Sequence, residues 1–374
     1  MPIYKTDEKK DGKQQYVVKV NYTDKNGNHK QIKRITYGNA EAKLLEKQLL
    51  DETKVDIDTS FRTVQSLYDE YMITMKNEIR LSTWEKKGRM FRNRILPDLG
   101  KYRLDKINTS ILQDWKNQLS EDGLQIGTLK TYYKEVNALF NYAVKMRYLP
   151  LNPVKFIGNF KEVYFETSQD KLHYYTKEEF LKYIKEAKQS IKTLTDWDYY
   201  VFFCIAFYTG MRKGEIHALK WSDIDGNIIH IRRSVCQKVK GGDLETPPKN
   251  KSSYRDLQMP QPLITVLTEH KARQKEVKEY IDDLRICGGE KCLRDTTLEK
   301  KNTAFAKAAE LPHIKIHDFR HTHASLLVNE GINIQEIARR LGHTNVEITW
   351  KIYSHLYPRE EERAVNVLNS IELI

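Results

Sequence analysis

His317-Asp318-Phe319-Arg320-His321-Thr322-His323-Ala324-Ser325 reads as the start of a helix, and the three-residue step from His317 to Arg320 puts an imidazole and a guanidinium on one face. Two other segments of the same half of the chain carry comparable chemistry. Upstream, Thr209-Gly210-Met211-Arg212-Lys213-Gly214-Glu215 follows an apolar helical run over residues 201–208. The Thr-Gly step predicts a sharp end to that helix, which offers Arg212 at the mouth of a tightly packed region. Downstream, Leu341-Gly342-His343 precedes Tyr353 by ten residues, in Thr349-Trp350-Lys351-Ile352-Tyr353-Ser354-His355. Taken singly, each residue has an ordinary explanation: a surface cap, a polar network at a helix start, a half-buried core tyrosine.

Together they meet a chemical requirement. Cutting a phosphodiester without a metal needs fixed positive charge on the phosphoryl oxygens, a nucleophile, and a proton donor for the leaving oxygen. Two arginines can clamp nonbridging oxygens bidentately, which lysine cannot do. Histidines add hydrogen bonds and proton transfer near neutral pH. A tyrosine, with its ordinary pKa near ~10, becomes a useful nucleophile only beside such cationic groups. No acidic cluster with metal-binding spacing accompanies these residues, which counts against a two-metal nuclease.

Composition points the same way. A chain of 374 residues is long enough for two or three domains, and 40% hydrophobic residues can fill real cores. Lys and Arg number 63 against 51 Asp and Glu, a formal charge of +12 that favours a polyanionic partner, nucleic acid or an anionic membrane surface. The membrane alternative weakens, since no run of 18 apolar residues occurs and the N-terminal MPIYKTDEKKDGKQQ has no hydrophobic signal region. The expectation is a cytoplasmic protein. Its four cysteines are too few for a disulfide scaffold. Cys204 and Cys236 read as small core residues, and Cys287 and Cys292, which flank Gly-Gly-Glu-Lys, lack a second ligand pair for zinc.

The expected fold is multidomain and mainly α with small β elements. In residues 1–55, Tyr16, Val18, Val20 and Tyr22 alternate with Val17, Lys19 and Asn21, Asn26-Gly27 supplies a hairpin turn, and residues 29–35 form a second strand carrying Lys30, Lys33 and Arg34. From Asn39 the spacing of Ala42, Leu45, Leu49 and Leu50 predicts a helix. Residues 56–62 read as a linker. Residues 63–155 read as four helices: one carrying Val64, Leu67, Tyr68, Tyr71, Met72 and Met75, one opened by a capping box at Ser82-Thr83-Trp84-Glu85 and running to about Ile95, one from near Asn108, and one over about 127–148. Lys86, Lys87, Arg89, Arg92, Arg94, Lys101, Arg103, Lys130 and Lys134 make this region a candidate DNA-gripping surface. A second linker covers residues 158–170. A capping box at Thr176-Lys177-Glu178-Glu179 then opens a mixed α+β domain over about 174–374, mostly helical with a β-region near 227–259.

The order TGMRKGE, HDFRHTHAS, LGH and IYSH resembles the tyrosine recombinases, or phage-integrase family, over about half the chain. The modules ahead of it resemble those of integrases from temperate phages and conjugative transposons. There, a small arm-binding domain, a three-stranded sheet plus a helix, precedes a helical core-site-binding domain, which matches residues 1–55 and 63–155. The resemblance implies that Arg212 and Arg320 clamp the scissile phosphate. His317 hydrogen-bonds it and is a candidate acceptor of the tyrosine proton, and His343 is a further phosphate ligand. Tyr353 attacks, leaving a 3′-phosphotyrosyl bond and a free 5′-hydroxyl. No metal, ATP or other cofactor is implied.

The family also uses a hairpin lysine as general acid. Pro247-Pro248-Lys249-Asn250-Lys251-Ser252-Ser253-Tyr254-Arg255 matches that segment, with Lys249 the choice and Lys251 its competitor. Glu215 and Asp318 are expected to give structural support, His321 and His323 are left outside the catalytic set, and Tyr357 is the fallback nucleophile. The implied partners are double-stranded DNA at core and arm att sites, a homotetramer on synapsed DNA, an excisionase and a host DNA-bending protein. A C-terminal helix over 360–371, apolar at Ala364, Val367, Leu368 and Ile371, packs either on its own subunit or into a neighbour. Alternative readings are a chromosome-dimer-resolving recombinase, a type IB topoisomerase-like enzyme, and a non-catalytic DNA-binding regulator.

Overall fold

The computed structural model describes residues 3–10, 12–23, 29–54, 62–161, 172–239, 242–248, 250–278 and 282–357, together with Val365 and Leu368. The Asn26-Gly27 turn, Lys249, most of both linkers and the apolar tail positions Ala364, Val367 and Ile371 lie outside the described residues. The chain divides into two units, Met1–Phe165 and Glu166–Ile374.

In the first unit, β1 (Ile3–Lys10), β2 (Lys13–Thr23) and β3 (His29–Tyr37) form an antiparallel sheet in that order, followed by α1 (Asn39–Lys54). β1 has no apolar alternation to announce it; it is an edge strand held by backbone pairing to β2. Val18 and Val20 point from β2 onto Ala42 and Leu49 of α1, a small core that the period-two pattern anticipates. On the other face Lys19 stands directly opposite Lys33.

The helices that follow are α2 (Val64–Glu78), α3 (Leu81–Met90), α4 (Leu96–Leu99), α5 (Thr109–Glu121), α6 (Ile126–Lys145) and α7 (Val154–Ile157). Their apolar stripes close on one core that includes Leu67, Tyr71, Phe91, Trp115, Val136 and Phe140. Two expectations are corrected here. Ser82 caps nothing: α3 begins at Leu81, with extended Arg80 as its N-cap and no side-chain cap. Trp84 donates its indole N–H to Met72 O at 2.8 Å, a tertiary contact that ties the first turn to α2. After Met90 the helix widens to a π-turn over Phe91–Ile95 ahead of Pro97, whose ring would otherwise meet the carbonyl one turn back. Lys87 also leaves the basic face, being buried with its ammonium on Glu135 and on the Tyr71 hydroxyl.

In the second unit the Thr176–Glu179 capping box opens α8 (Lys177–Gln189), as its sequence predicts. α9 (Leu194–Thr209) is buried along almost its whole length and forms the centre of the core. α10 (Lys213–Ala218) is followed by β4 (Ile224–Asp225), β5 (Ile228–Ile231), β6 (Ser234–Val239), β7 (Gly242–Thr246) and β8 (Arg255–Gln258). β4, β5 and β8 make one antiparallel sheet, and β6 and β7 make a separate hairpin. The remaining helices are α11 (Gln261–Val277), α12 (Asp295–Ala308), α13 (Asp318–Asn329), α14 (Ile334–Leu341) and α15 (Val346–Tyr353). Trp350 projects from α15 with 54% of its surface exposed. Among the described residues no helix is long and apolar enough to cross a membrane.

Candidate active site

The apolar helix α9 fixes where the first charged group emerges. Its last turn closes on Gly210, which takes a left-handed conformation at φ 62° and returns its N–H to Ala206 O. Two residues later Arg212 stands at the N-cap of α10. Its backbone N–H and its guanidinium both donate to Glu215, at 3.0 and 2.9 Å. Glu215 is buried and also receives Arg255, from the start of β8, through two bonds of 3.3 and 2.9 Å. Burial opposes the Glu215 charge, but Arg255 and then Arg212 outweigh it and hold the carboxyl below its ordinary value.

Arg320 enters from the first turn of α13 and is 4% exposed. It donates to Gly210 O at 2.7 Å and to Leu341 O at 2.6 Å. Arg212 donates to the next carbonyl along, Gly342 O, at 3.3 Å. Both guanidinium groups therefore end on consecutive carbonyls at the C-terminus of α14, where the partial negative charge of the helix favours cations. Gly342 is left-handed there, at φ 67°, and turns the chain into His343. Burial, reinforced by Arg212, pulls the Arg320 pKa down to about 9, so it keeps its charge at neutral pH. Arg212 and Arg255 share Glu215 while Arg320 ends on carbonyls alone, so the guanidinium charge here is not fully neutralised by direct carboxylate contacts.

The histidines around this pocket are held neutral. His343 shares a 2.7 Å hydrogen bond between Nδ1 and the Thr349 hydroxyl. Burial, then Arg320, Arg212 and Arg255, brings its pKa to about 4. His317, at the N-cap of α13, is reached by solvent, yet loss of hydration on its inner side and then Arg320 hold its pKa below the ordinary value.

Tyr353 is the last residue of α15 and only 1% exposed, packed with Ala324, Val328, Ile337 and Leu341. Its hydroxyl lies 2.6 Å from Nδ1 of His321, and burial raises its pKa. His321 is the residue that sequence reasoning set aside. One helical turn after His317, it shares that residue's face, and this spacing was the signal available. Its neighbour His323 is structural, with Nδ1 2.7 Å from Phe207 O. Arg255, which lies in the same segment as the candidate lysines, gains its role only through the fold, by reaching Glu215.

Among the remaining expectations, Asp318 accepts the Lys315 N–H at 2.9 Å, a local support of the turn. Tyr357 donates to Ile332 O at 2.7 Å, which commits its hydroxyl elsewhere. Lys249 lies outside the described residues, while Lys251 is exposed in a short 3-10 turn. The segment after Lys249 is tied to the residue after His343: Asn250 donates to the Thr344 hydroxyl at 3.1 Å, and Ser252 bonds the same hydroxyl at 2.9 Å.

Residues 174–360 match the model of the phage integrase family, and residues 63–120 match its N-terminal SAM-like domain. A tyrosine recombinase XerC-like protein of Caldanaerobacter subterraneus subsp. tengcongensis is 30% identical over 98% of this chain and 99% of its own length. The chain belongs to the phage integrase family. The ICEBs1 integrase of Bacillus subtilis is 27% identical over 88% of both chains. Among solved structures, a Tn1549 transposon integrase in complex with circular-intermediate DNA superposes with a TM-score of 0.66 at 21% identity, over 82% of this chain and 99% of that one. A lambda integrase tetramer bound to a Holliday junction gives 0.57 at 17% identity, over 96% and 97%. These structural likenesses carry the fold. As a family member with relatives from mobile elements, the chain is an enzyme, a site-specific DNA recombinase of the tyrosine type. The dimer-resolving and topoisomerase readings are not favoured.

Proposed function

We propose that this integrase cuts and rejoins DNA through a 3′-phosphotyrosyl link to Tyr353, for integration and excision of the element that carries it. The observation that carries the reading is the convergence of Arg212 and Arg320 on the adjacent carbonyls of Gly342 and Leu341, beside His343. Carbonyl oxygens occupy donor groups that a phosphate's nonbridging oxygens could take over, and the surplus of guanidinium charge favours that exchange. His317 and His343 add hydrogen bonds. If Thr349 donates to Nδ1 of His343, its Nε2 carries the proton and can donate to the anion. A hairpin lysine, Lys249 or Lys251, protonates the leaving 5′-oxygen.

Residues 1–55 serve arm sites, 63–155 the core site, and 174–374 the chemistry. Lys19 opposite Lys33, on the sheet face that Val18 and Val20 do not share, supports the first of these, because like charges directly across two strands favour a polyanion laid over them. The working form is a homotetramer on two duplexes, with an excisionase and a host DNA-bending protein as accessory factors.

Trapping protein–DNA adducts from fragmented genomic DNA and sequencing the attached ends tests the reading. The wild-type protein should yield one defined junction, and Tyr353→Phe should yield none while still retarding duplex DNA. Adducts retained by Tyr353→Phe would remove Tyr353 from its role.

A further inference from the structure

Burial of Tyr353 leaves its phenol proton with few places to go. Among the described residues, Nδ1 of His321 is the recorded hydrogen-bond partner of that hydroxyl, at 2.6 Å. The two groups come from different helices, α13 and α15, so the contact belongs to the tertiary fold rather than to local sequence. Their rings lie 5.7 Å apart at 51°, and the His317 ring stands edge-on to His321 at 5.3 Å. Among the described residues it is His321, not His317, that meets the phenol. We infer that His321 takes the Tyr353 proton when a strand is cut and returns it when the strand is rejoined.

The inference rests on the reading of Tyr353 as nucleophile. In the cutting step the tyrosine oxygen bonds to phosphorus and the bond from phosphorus to the 5′-oxygen breaks. The phenol proton moves to Nδ1 of His321, and the hairpin lysine gives its proton to the 5′-oxygen. Rejoining reverses all four events, so neither proton is lost to solvent.

The surroundings explain why the pair is silent without DNA. Burial, then His317, then Arg320 bring the His321 pKa to about 4, against the opposing pull of Asp318. A weak base facing a weakened acid does not exchange a proton. A phosphate seated against Arg320 and Arg212 adds negative charge beside His321 and offsets the cations that depress it. The same anion thus supplies both the target and the base strength, which confines tyrosine activation to the loaded site.

The test uses full-length protein and a duplex carrying the junction mapped by adduct sequencing, nicked so that the cut end diffuses away. Single-turnover cleavage should fall about 100-fold in His321→Ala and in His321→Gln, the scale typical of losing a general base. Glutamine can accept a hydrogen bond but cannot carry the proton, so a purely structural role would spare it. Added imidazole should restore His321→Ala at least tenfold. A 5′-bridging sulfur, which bypasses the general acid, should rescue the lysine variants and leave both His321 variants slow. Cleavage within threefold of wild type in a His321→Ala protein of normal melting temperature would overturn the assignment. A measurement on the unmodified protein does not depend on the variants folding: with 15N-labelled histidine, Nδ1 of His321 should be unprotonated at pH 7. A protonated Nδ1, donating to the phenol instead, also overturns it. If wild-type protein forms no adduct at all, the nucleophile reading fails first; an active wild type with indifferent His321 variants sinks only this inference.

Discussion

Glu215 is one carboxylate shared by two guanidinium groups, and removing its charge leaves Arg255 buried without a counter-ion. Breaking a buried pair from one side costs about 3 kcal/mol. Glu215→Gln should therefore lower the melting temperature by several degrees at pH 7 and slow cleavage, because Arg212 loses the group that aims it. Acid should reduce the stability difference. The folded carboxyl titrates below its ordinary value of 4.5, so its contribution is complete above that value and is lost as pH falls through the lower folded one. The gap between melts of parent and variant should narrow as pH falls from 7 toward 3; parallel curves would refute the account. The nucleophile illustrates a different limit of the sequence. Ten residues of spacing after His343 are enough to pick out Tyr353 among 22 tyrosines. They say nothing of the His321 contact, which depends on how α13 and α15 pack.

Turns and helix starts show where local rules suffice and where they do not. The Thr209-Gly210 step is legible because the left-handed conformation it needs is a local property, and the structure adds a second constraint. A Cβ on Gly210 would stand 2.7 Å from Cδ2 of His323 and 3.0 Å from Cδ2 of Leu341. Gly210→Ala should thus cost about 2 kcal/mol, from left-handed strain plus overpacking. It should also displace Arg212, with adduct yield falling more than the melting shift alone explains. A variant with parental melting and yield would show that the turn tolerates a side chain. Ser82-Thr83-Trp84-Glu85 fits the capping pattern equally well and caps nothing, since the helix start is set by Trp84 reaching Met72 on α2. β1 escaped the apolar pattern for a related reason: an edge strand is stabilised by backbone pairing, which leaves no alternation to read.

Across the whole chain, a charge of +12 announces a polyanion but does not say which basic residues meet it. Lys87 and Lys134 look alike in sequence, yet one is buried on Glu135 and the other is exposed. Lys87→Ala should cost about 2 kcal/mol of stability and leave the salt dependence of duplex binding unchanged. Lys134→Ala should spare stability and flatten the log–log salt slope by about 0.9 if it meets one phosphate. Fluorescence anisotropy from low to moderate salt, beside thermal melts, separates the two; a flattened slope in Lys87→Ala would contradict its burial. Trp350 gives the molecule an optical handle of its own. Trp115, Trp197 and Trp221 are buried and Trp84 is half-buried, whereas Trp350 is open to water on the helix that ends at Tyr353. A collisional quencher such as iodide will therefore extinguish light mainly from that helix. Any rearrangement that brings the nucleophile out of its core can then be timed by stopped-flow quenching, without attaching a dye.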